Sequence, residues 1–396
     1  MVEFYNPFEK HGLKRVINCA TSLTTLGGSI PDPAVFEAMA DAGKAFTSIV
    51  ELQKWAGKKI ADATGAEAGF PTASACNGLT LAAAACIMRG TELETYEVGG
   101  GSRGGWSHLS MKLPLYTEGL KTEFIVEHSS HGGYAHSVEC AGGRFVKVES
   151  TIEAMNEAFN PEKTAGYYFT ARNAPKGLSM EEVIEIAHSN GVPVMVDAAA
   201  EIPPKRKLKY YIGLGADLVV YSGGKHLAAL NNTGLLAGKA GLVKLAQLQA
   251  YPFTGVGRGA KLSREMIVGL VKALEIYLEH DEEHAYNVWL KKAEWFVDNL
   301  NGMPGIEAGI SCQKAVEDGE PMAPFTYLKL DKSVCGCTGP ELIAKLRASD
   351  PPIMTLWEPA FLLGKDYKNK MCINPQYMLD GEEEIVLAKI KEYLGV

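Results

Sequence analysis

Two neighbouring stretches of the sequence decide the fold. They are Val194-Met195-Val196-Asp197-Ala198-Ala199-Ala200-Glu201 and Asp217-Leu218-Val219-Val220-Tyr221-Ser222-Gly223-Gly224-Lys225-His226. Each contains a short apolar run that is followed by polar residues. Runs of this length without alternation are typical of strands that are buried on both faces of a largely parallel sheet. We therefore expect Asp197 and Lys225 to follow two neighbouring buried strands.

Further runs of the same kind surround these two and alternate with helical patterns. The predicted strands are Glu123 to Glu127, Phe145 to Val148, Tyr167 to Thr170, Val192 to Val196, Leu218 to Tyr221 and Gly234 to Ala237. The predicted helices between them are Ile152 to Phe159, Ser179 to Ser189 and Leu242 to Gln249. Ser179 and Glu182 have the spacing of a capping box, which marks a helix start. Repeated strand–helix–strand order predicts an α/β fold.

The bulk composition limits the possible partners. The 396 residues are enough for one large core and a smaller domain. The formal net charge of −8 argues against a nucleic-acid partner, because phosphate neutralisation requires clustered Lys and Arg. No basic and apolar leader is visible, and no apolar run reaches the roughly 18 residues of a membrane span. We therefore expect a cytoplasmic protein that acts on a small molecule, with no membrane and no nucleic-acid partner.

The eight cysteines are scattered in apolar surroundings, which favours reduced thiols. Cys335-Gly-Cys337 has no second pair at ligand spacing, so we expect no metal site.

The Gly- and aromatic-rich tract from Tyr251 to Gly259 predicts a domain boundary. Ser263 then precedes a long amphipathic helix that we expect to bridge two domains. The predicted domains are residues 1–45 as a segment that lines the cleft, 46–255 as the large domain and 256–396 as the small α/β domain. Strand-like Pro324 to Leu330 and helices near Pro340 to Ala348 and Glu382 to Leu394 belong to the small domain.

An acid and a lysine at the ends of adjacent buried strands suit pyridoxal phosphate. Lys225 is the predicted Schiff-base lysine, because a desolvated, glycine-lined setting lowers the pKa of an amine. Asp197 would keep the pyridine nitrogen protonated, so that the ring can accept electrons from the substrate Cα. A structural acid is the alternative for Asp197 taken alone. The spacing of a phosphate-binding P-loop fails around Lys225, and the S-x-x-K pair of acyl-serine enzymes lacks its companion motifs.

The cofactor phosphate needs a cup. We define the phosphate cup as residues 72–78, in which Ser74, Ala75, Cys76 and Asn77 precede the helical run Leu79 to Met88. Free N–H groups at a helix start bind a dianion. We expect Ser222 to add a hydroxyl. An ordinary capped core helix is the alternative.

Other candidate residues are less constrained by the pattern. His131 is the first choice for stacking on the pyridine and His128 the second, although a cluster of this kind taken alone is more often a loop with chance histidines. Arg258, which lies between two glycines, is a candidate for binding a carboxylate or phosphate through bidentate hydrogen bonds from its guanidinium. Arg103 lies in a Gly-rich loop that is either a lid or a surface loop, and Thr24 lies in a small, polar segment.

At these residues the chain resembles the selenocysteine synthase-like group of fold-type-I pyridoxal-phosphate enzymes, and within it the D-glucosaminate-6-phosphate ammonia lyase-like proteins. The matching pieces are Thr64 to Ala68, Gly78 to Ala84, Pro193 to Glu201 with Pro203-Pro204, Ser222 to Lys225, Thr233 to Gly238, Gly257 to Lys261 and Ile373 to Pro375. Two departures border the cofactor. Ala73-Ser74 replaces a usual glycine of the cup, and Ala229-Leu230 stands where Gly-Pro usually follows the lysine.

The resemblance implies the aspartate aminotransferase-like fold, with a mostly parallel seven-stranded large domain and a small C-terminal domain. It also implies a homodimer or higher homo-oligomer in which Asp197, Ser222 and Lys225 hold pyridoxal 5'-phosphate. The activity that we expect is elimination of water and ammonia from a β-hydroxy-α-amino acid, such as D-glucosaminate 6-phosphate. A racemase, an aldolase and a β-replacement enzyme remain alternatives, as do a tRNA-dependent selenium transferase-like protein and a non-catalytic cofactor carrier.

Overall fold

The computed structural model describes residues 5–99, 108–172, 177–314, 319–357 and 370–396. The chain divides into two compact units. The large unit is Ser29–His280, and the small unit combines Met1–Gly28 with Asp281–Val396.

Strands and helices alternate through most of the described chain. The strands are β1 (Ile17–Cys19), β2 (Ala68–Thr72), β3 (Glu123–Glu127), β4 (Arg144–Val148), β5 (Thr164–Thr170), β6 (Val194–Asp197), β7 (Leu218–Ser222), β8 (Gly234–Gly238), β9 (Ile306–Lys314), β10 (Pro321–Leu330), β11 (Ile353–Trp357) and β12 (Lys370–Ile373). The helices are α1 (Pro33–Ala42), α2 (Ile49–Thr64), α3 (Ala75–Met88), α4 (His136–Cys140), α5 (Ile152–Glu157), α6 (Met180–Ser189), α7 (Lys207–Leu214), α8 (Ala240–Gln249), α9 (Arg264–Glu279), α10 (Glu282–Leu300), α11 (Lys332–Cys335), α12 (Gly339–Ala348) and α13 (Glu382–Leu394).

The large unit is built on a mixed sheet that, among the described residues, has seven strands in the order β2-β8-β7-β6-β5-β3-β4. The strands from β7 to β4 run parallel to one another, whereas β8 runs antiparallel to both β2 and β7. All six strands that the sequence pattern predicts are present, so the expectation of a largely parallel α/β sheet is confirmed.

Strand β2 was not predicted, and its composition explains why. Gly69 and Pro71 are both unusual inside a strand. An edge strand tolerates proline, because one of its sides needs no ladder donor. A Cβ on Gly69 would lie 2.6 Å from the carbonyl oxygen of Gly57, so helix α2 packs against the strand only because glycine is there.

Helices cover the sheet and bury both of its faces. On one side α3 is almost entirely buried, and its alanines from Ala82 to Ala85 are fully inaccessible. On the other side α6 begins with the predicted capping box between Ser179 and Glu182. Because both faces are covered, strands β5, β6 and β7 are apolar along nearly their whole length, as the sequence shows.

The small unit has its own sheet, with the order β1-β11-β12-β10-β9 in the described residues. Only β1 and β11 are parallel in it. A separate apolar cluster forms its core and includes Phe296, Leu328 and Ile390. Arg15 pairs with the buried Glu382 within this unit.

The domain boundaries differ from those predicted. Helix α9 belongs to the large unit, where Lys59 of α2 pairs with Glu275 at 2.9 Å and Gly269 closely approaches Met39 of α1. The Tyr251–Gly259 tract therefore lies within the large unit, and the chain passes to the small unit at residue 281. The N-terminal segment is also split, at Gly28 rather than after residue 45. Among the described residues, no helix is both long and apolar enough to cross a lipid bilayer.

Candidate active site

The carboxyl end of the large sheet brings several predicted residues together. In the strand register Thr170 lies beside Asp197, and Asp197 lies beside Val220. Ser222, two residues after Val220, lies beside Gly234, which in turn lies beside Thr72. Since neighbouring strands are about 4.8 Å apart, the ends of β5, β6, β7, β8 and β2 form one continuous polar edge.

Asp197 is the last residue of β6 and is 7% exposed. One carboxylate oxygen accepts the N–H of Ala199 at 3.1 Å, and the other accepts the hydroxyl of Tyr168 at 3.4 Å. Burial raises the pKa of Asp197, and the Ala199 N–H and the charge of Lys225 partly oppose that effect. Both recorded hydrogen-bond donors are neutral, so this buried carboxylate suits a cationic ligand group.

Lys225 follows β7 after two glycines whose positions admit no side chain. A Cβ on Gly223 would lie 2.1 Å from the hydroxyl oxygen of Thr233, and one on Gly224 would lie 2.4 Å from the Cα of Asn231. The Ser29 hydroxyl donates to the Lys225 carbonyl, which fixes the backbone at the lysine. Burial lowers the pKa of Lys225, and the charge of Asp197 opposes this. A lowered pKa increases the fraction of the neutral amine, which is the form that acts as a nucleophile or base.

The phosphate cup is a true helix start. Ser74 is the N-cap of α3, and its hydroxyl accepts the N–H of Asn77 at 3.2 Å. The side-chain oxygen of Asn77 accepts the N–H of Ala73 at 3.2 Å. The N–H groups of Ala75 and Cys76 belong to the first turn, which has no intrahelical acceptors. These amides can therefore serve an anion.

The backbone at Ser74 has φ 100° and ψ 163°, a region that is essentially restricted to glycine. Ser74 belongs to the Ala73-Ser74 pair that stands where the group that this chain resembles usually has a glycine. The local bonds hold it, because the Ser74 carbonyl accepts both the Thr72 hydroxyl at 2.9 Å and the Gly78 N–H at 3.0 Å. A Cβ on Gly234 would lie 2.7 Å from the Ser74 carbonyl carbon, so β8 presses directly against the cup.

His131 lies in a loop that the sheet edge anchors. The Thr170 hydroxyl donates to the Ser130 carbonyl at 2.7 Å. The His131 ring meets Phe145 edge to face at 4.9 Å, and Phe145 meets Tyr168 in the same way at 5.5 Å. Burial lowers the pKa of His131. His131 is thus connected, through two aromatic rings, to the residue that bonds Asp197. His128, the second choice, is exposed and 3.7 Å from Glu149.

An ion pair at this edge was missed from the sequence. The Arg172 Nε donates to Glu201 at 3.0 Å, and Nη2 donates to the Ala200 carbonyl at 2.7 Å. Glu201 is 3% exposed. His226 directly follows Lys225 in the chain, and burial and then the charges of Arg172 and Lys225 lower its pKa to about 3. We call Asp197, Lys225, Arg172, Glu201 and His226 the charged edge.

The remaining predicted residues lie in other places. Arg258 lies over the Tyr251 ring at 5.1 Å, in the loop after α8. Thr24 begins a short 3₁₀ helix of the small unit and is exposed. Arg103 lies outside the described residues. Among the described residues, no cluster of three or more His, Cys, Asp or Glu side chains could hold a metal ion.

Comparison with known proteins finds relatives that match nearly the whole chain. No family model matches the chain. The chain is 28% identical to a 5'-C-glycyluridine monooxygenase-decarboxylase from a Streptomyces species, over 98% of this chain and 92% of that protein. It is 27% identical to a D-glucosaminate-6-phosphate ammonia lyase from Salmonella typhimurium, over 98% of this chain and 97% of that protein.

Solved structures extend the likeness to the fold. A structure of D-glucosaminate-6-phosphate ammonia-lyase matches with a TM-score of 0.81 at 26% identity, and the match covers 99% of both chains. A serine palmitoyltransferase from S. paucimobilis with bound PLP matches with a TM-score of 0.55 at 13% identity, over 96% of this chain and 88% of that chain. The chain has the fold of the type-I pyridoxal-phosphate enzymes. This confirms the fold class and the resemblance that the sequence predicted.

The residues of this type-I fold support pyridoxal 5'-phosphate as the cofactor. Its three polar parts need an acid for the ring nitrogen, an amine for the aldehyde and a cup for the phosphate. Asp197, Lys225 and the phosphate cup supply these groups at one edge of one sheet. Gly223, Gly224 and Gly234 keep the backbone close where side chains would collide. The donor set therefore fits the cofactor.

Proposed function

We propose that this protein is a pyridoxal-phosphate-dependent lyase that removes water and ammonia from a β-hydroxy-α-amino acid and yields a 2-keto acid. The observation that carries the proposal is the placement of buried Asp197 and partly buried Lys225 after the adjacent strands β6 and β7. The similarity to the Salmonella ammonia lyase over 98% of this chain supports the reaction type. An amino sugar acid such as D-glucosaminate 6-phosphate is the proposed substrate.

Each polar residue of the edge has a proposed role in holding the cofactor. Lys225 would attach it covalently, and Asp197 would hold its ring nitrogen in the protonated form. Ser74, Asn77 and Ser222, with the N–H groups of Ala75 and Cys76, would bind the phosphate, while His131 would stack on the ring. When bound, the cofactor supplies an electron sink for the negative charge that develops at the substrate Cα.

Lys225 is also the proposed base. Once substrate has replaced it, its amine accepts the Cα proton, which the lowered pKa of Lys225 favours near neutral pH. The β-hydroxyl then leaves as water with the proton that the Lys225 amine accepted, and the released enamine tautomerises. Its hydrolysis consumes one water, so the balance is one hydroxyamino acid converted into one 2-keto acid and one ammonia.

Binding of the rest of the substrate is assigned to residues outside this edge. Arg258 is proposed to hold the distal anionic group, with Arg103 and Thr24 as further substrate contacts. We also propose that the protein is a cytoplasmic homodimer or higher homo-oligomer, which size-exclusion chromatography with light scattering would measure.

The similarity to the Streptomyces protein favours a second candidate. At 28% identity it is as close in sequence as the lyase, and its name describes an oxygen-dependent decarboxylation. Such a reaction would consume O₂ and release CO₂, whereas elimination does neither. Racemisation, aldol cleavage and β-replacement share loss of a bond at Cα and differ only in the products.

The decisive experiment incubates purified protein with serine, threonine and D-glucosaminate 6-phosphate. Ammonia, 2-keto acid, O₂ uptake, CO₂ and deuterium exchange at Cα are measured together. We expect ammonia and 2-keto acid in equal amounts without O₂ uptake, and borohydride reduction should fix the cofactor on the peptide that carries Lys225. A Lys225→Ala variant should lose at least about 10³-fold in rate, because it lacks the general base and the covalent attachment.

Lys239→Ala is the matched control, because Lys239 is an exposed lysine that pairs with Glu67 on the surface. Full turnover by the Lys225→Ala variant would refute the assignment. O₂ uptake matched by CO₂ would select the second candidate. Deuterium exchange without keto acid would select racemisation, and retention of tRNA would favour the transferase. A bound chromophore that responds to no amino acid would indicate a carrier.

A further inference from the structure

The charged edge contains a guanidinium that the proposed reaction has not yet used. Arg172 follows β5 by two residues, and β5 ends at Thr170, which lies beside Asp197 in the register. Arg172 therefore emerges from the same end of the sheet as the predicted cofactor residues. Glu201, its partner, follows Asp197 by four residues, beyond the end of β6. The pair thus joins the chain segments that follow the adjacent strands β5 and β6.

The guanidinium is held in one orientation before any ligand arrives. Its Nε bonds Glu201 at 3.0 Å and its Nη2 bonds the Ala200 carbonyl at 2.7 Å. The Glu201 side chain is 3% exposed, whereas that of Arg172 is 30% exposed. The Glu201 carboxylate is therefore buried, whereas part of the Arg172 side chain is exposed at the surface. A buried carboxylate needs such a cationic partner, so the two residues act as one unit.

The charge of Arg172 acts on the reactive amine. Arg172 lowers the pKa of both Lys225 and His226, in each case after the larger effect of burial, while Glu201 opposes it at Lys225. The guanidinium is thus within electrostatic reach of the atom to which a substrate amine must come. In an α-amino acid the carboxylate is attached to the same carbon as the amine. A substrate whose amine reaches Lys225 therefore also brings its carboxylate close to Lys225.

We propose that Arg172 binds the α-carboxylate of the substrate and that Glu201 is the positioning residue that holds the guanidinium for it. This deepens the proposed function, on which it rests. A planar guanidinium binds a carboxylate through parallel N–H bonds, which fixes direction as well as charge. Arg258 would then bind the distal group, so that each end of an amino sugar acid has its own arginine.

The test uses the holoenzyme and two probes that differ only in the carboxylate, serine in both enantiomers and ethanolamine. Binding is followed by the change in cofactor absorbance, and dissociation constants are compared. The native protein should prefer one serine enantiomer over ethanolamine. Arg172→Gln should weaken serine binding about tenfold or more, as expected for a lost charge-assisted pair, and leave ethanolamine binding within about twofold. The dissociation constant of Arg172→Lys for serine should lie between those of the native protein and of Arg172→Gln.

Controls separate recognition from folding. Arg89→Gln removes another arginine of the large unit, one that donates to the Gly191 carbonyl, and should leave the serine-to-ethanolamine ratio unchanged. If Arg172→Gln unfolds because Glu201 is left without its cation, the double variant Arg172→Gln/Glu201→Gln removes both charges and should show the same loss of serine preference. Glu201→Gln alone should weaken serine binding by a smaller factor of about three, because the guanidinium is retained but less firmly held.

A native protein without serine preference, or equal losses for serine and ethanolamine in the Arg172 variants, would overturn the proposal. Binding is measured without turnover. A protein that binds serine through Arg172 and yet releases no ammonia would therefore fail the lyase proposal alone.

Discussion

The charged edge and the phosphate cup serve one cofactor, and they are built in opposite ways. The charged edge uses ionisable side chains from three strands, and every buried charge in it carries a desolvation cost that only a partner offsets. The cup uses one continuous segment, residues 72–78, and mainly its backbone. The edge therefore depends on which residues meet, whereas the cup depends on the conformation that one segment adopts.

This difference predicts how each region responds to substitution. In the charged edge, removal of the Asp197 charge, whose two recorded hydrogen-bond donors are neutral, should lower activity strongly and spare or improve stability. In the cup, a change of backbone preference should alter stability with the chemistry of the site largely unchanged.

The largest effect is expected for Asp197→Asn. The amide keeps the shape and can still accept the Ala199 N–H, but it carries no charge for a protonated ring nitrogen. We expect the rate to fall about 10²- to 10³-fold, the loss seen when one preorganised electrostatic group is removed. Because burial raises the pKa of Asp197, ionisation of this carboxyl costs more free energy in the folded protein than in the unfolded chain. Cofactor-free Asp197→Asn should consequently melt at the same or a higher temperature than the native protein.

Steady-state kinetics and thermal melting of the same preparations test both halves of this prediction. Tyr168→Phe is the companion variant, because it removes a donor to Asp197 and leaves the charge, and its rate loss should be smaller. A marked drop in melting temperature for Asp197→Asn would mean that the carboxylate is structural, which is the alternative for this residue in the sequence.

The next effect is expected in the cup, where Ser74→Gly and Ser74→Ala should act in opposite directions. Glycine adopts φ 100° without strain, and relief of strain of about 1–3 kcal/mol should exceed the loss of the cap and the greater freedom of the unfolded chain. Alanine keeps the strain and loses the cap, at a cost of about 1 kcal/mol. Urea unfolding of the cofactor-free protein should place the two variants about 2 kcal/mol apart, with the native protein between them.

Ser179 provides the reference, because it is also an N-cap but has ordinary extended backbone, with φ −66°. At Ser179 both glycine and alanine should destabilise. If Ser74→Gly also destabilises, the strain is not stored at the cup and the contrast between the two regions is lost.

The smallest expected effect is on the pH dependence of the free energy of unfolding, and it arises from His226 in the charged edge. Burial and the charges of Arg172 and Lys225 lower the pKa of His226 to about 3, well below the value near 6.5 of an unfolded chain. Between these two pKa values the unfolded chain binds more protons than the folded protein. The contribution of His226 to the free energy of unfolding is therefore fully present above pH 6.5, and it is lost as the pH decreases towards 3. We expect the free energy of unfolding to drop by about 1 kcal/mol between pH 7.5 and 5.5 because of this group, after allowance for its partial exposure.

Denaturant titrations at the two pH values, with and without His226→Gln, measure that contribution. The substitution should flatten the pH dependence, whereas His136→Gln, at an exposed histidine that pairs with Glu139, should not. An unchanged slope in His226→Gln would show that the charges of this edge do not act on the imidazole.

Local patterns predicted the elements of the fold well. The strand Glu123–Glu127 and the helix Glu382–Leu394 have the same limits in the structure as in the sequence pattern. The capping box at Ser179 and the N-cap at Ser263 are confirmed, because both depend on residues three apart. Strand β2 escaped prediction because Gly69 and Pro71 are chosen for packing at an edge and not for strand propensity.

The sequence pattern also predicted some residues of the candidate site and missed others. The sequence indicated Asp197, Lys225 and the residues of the cup, and the sheet brings them to one edge, although their roles in binding and catalysis stay predictions. Arg172 and Tyr168 were missed, because each is 29 residues from the acid that it contacts. One signal was available: both lie within or just after a predicted strand that neighbours β6.

The sequence by itself determined the alternation of strands and helices, the polar residues at the strand ends and thereby the cofactor class, because hydrophobic period and capping act over a few residues. Only the tertiary structure decided which charges meet, where the chain passes from one unit to the other, that β8 runs antiparallel, and that Ser74 adopts a backbone shape suited to glycine. These features depend on strand order and on contacts between distant segments. A periodic pattern does not encode either of them, because it specifies which face of an element is buried and not the neighbour that buries it.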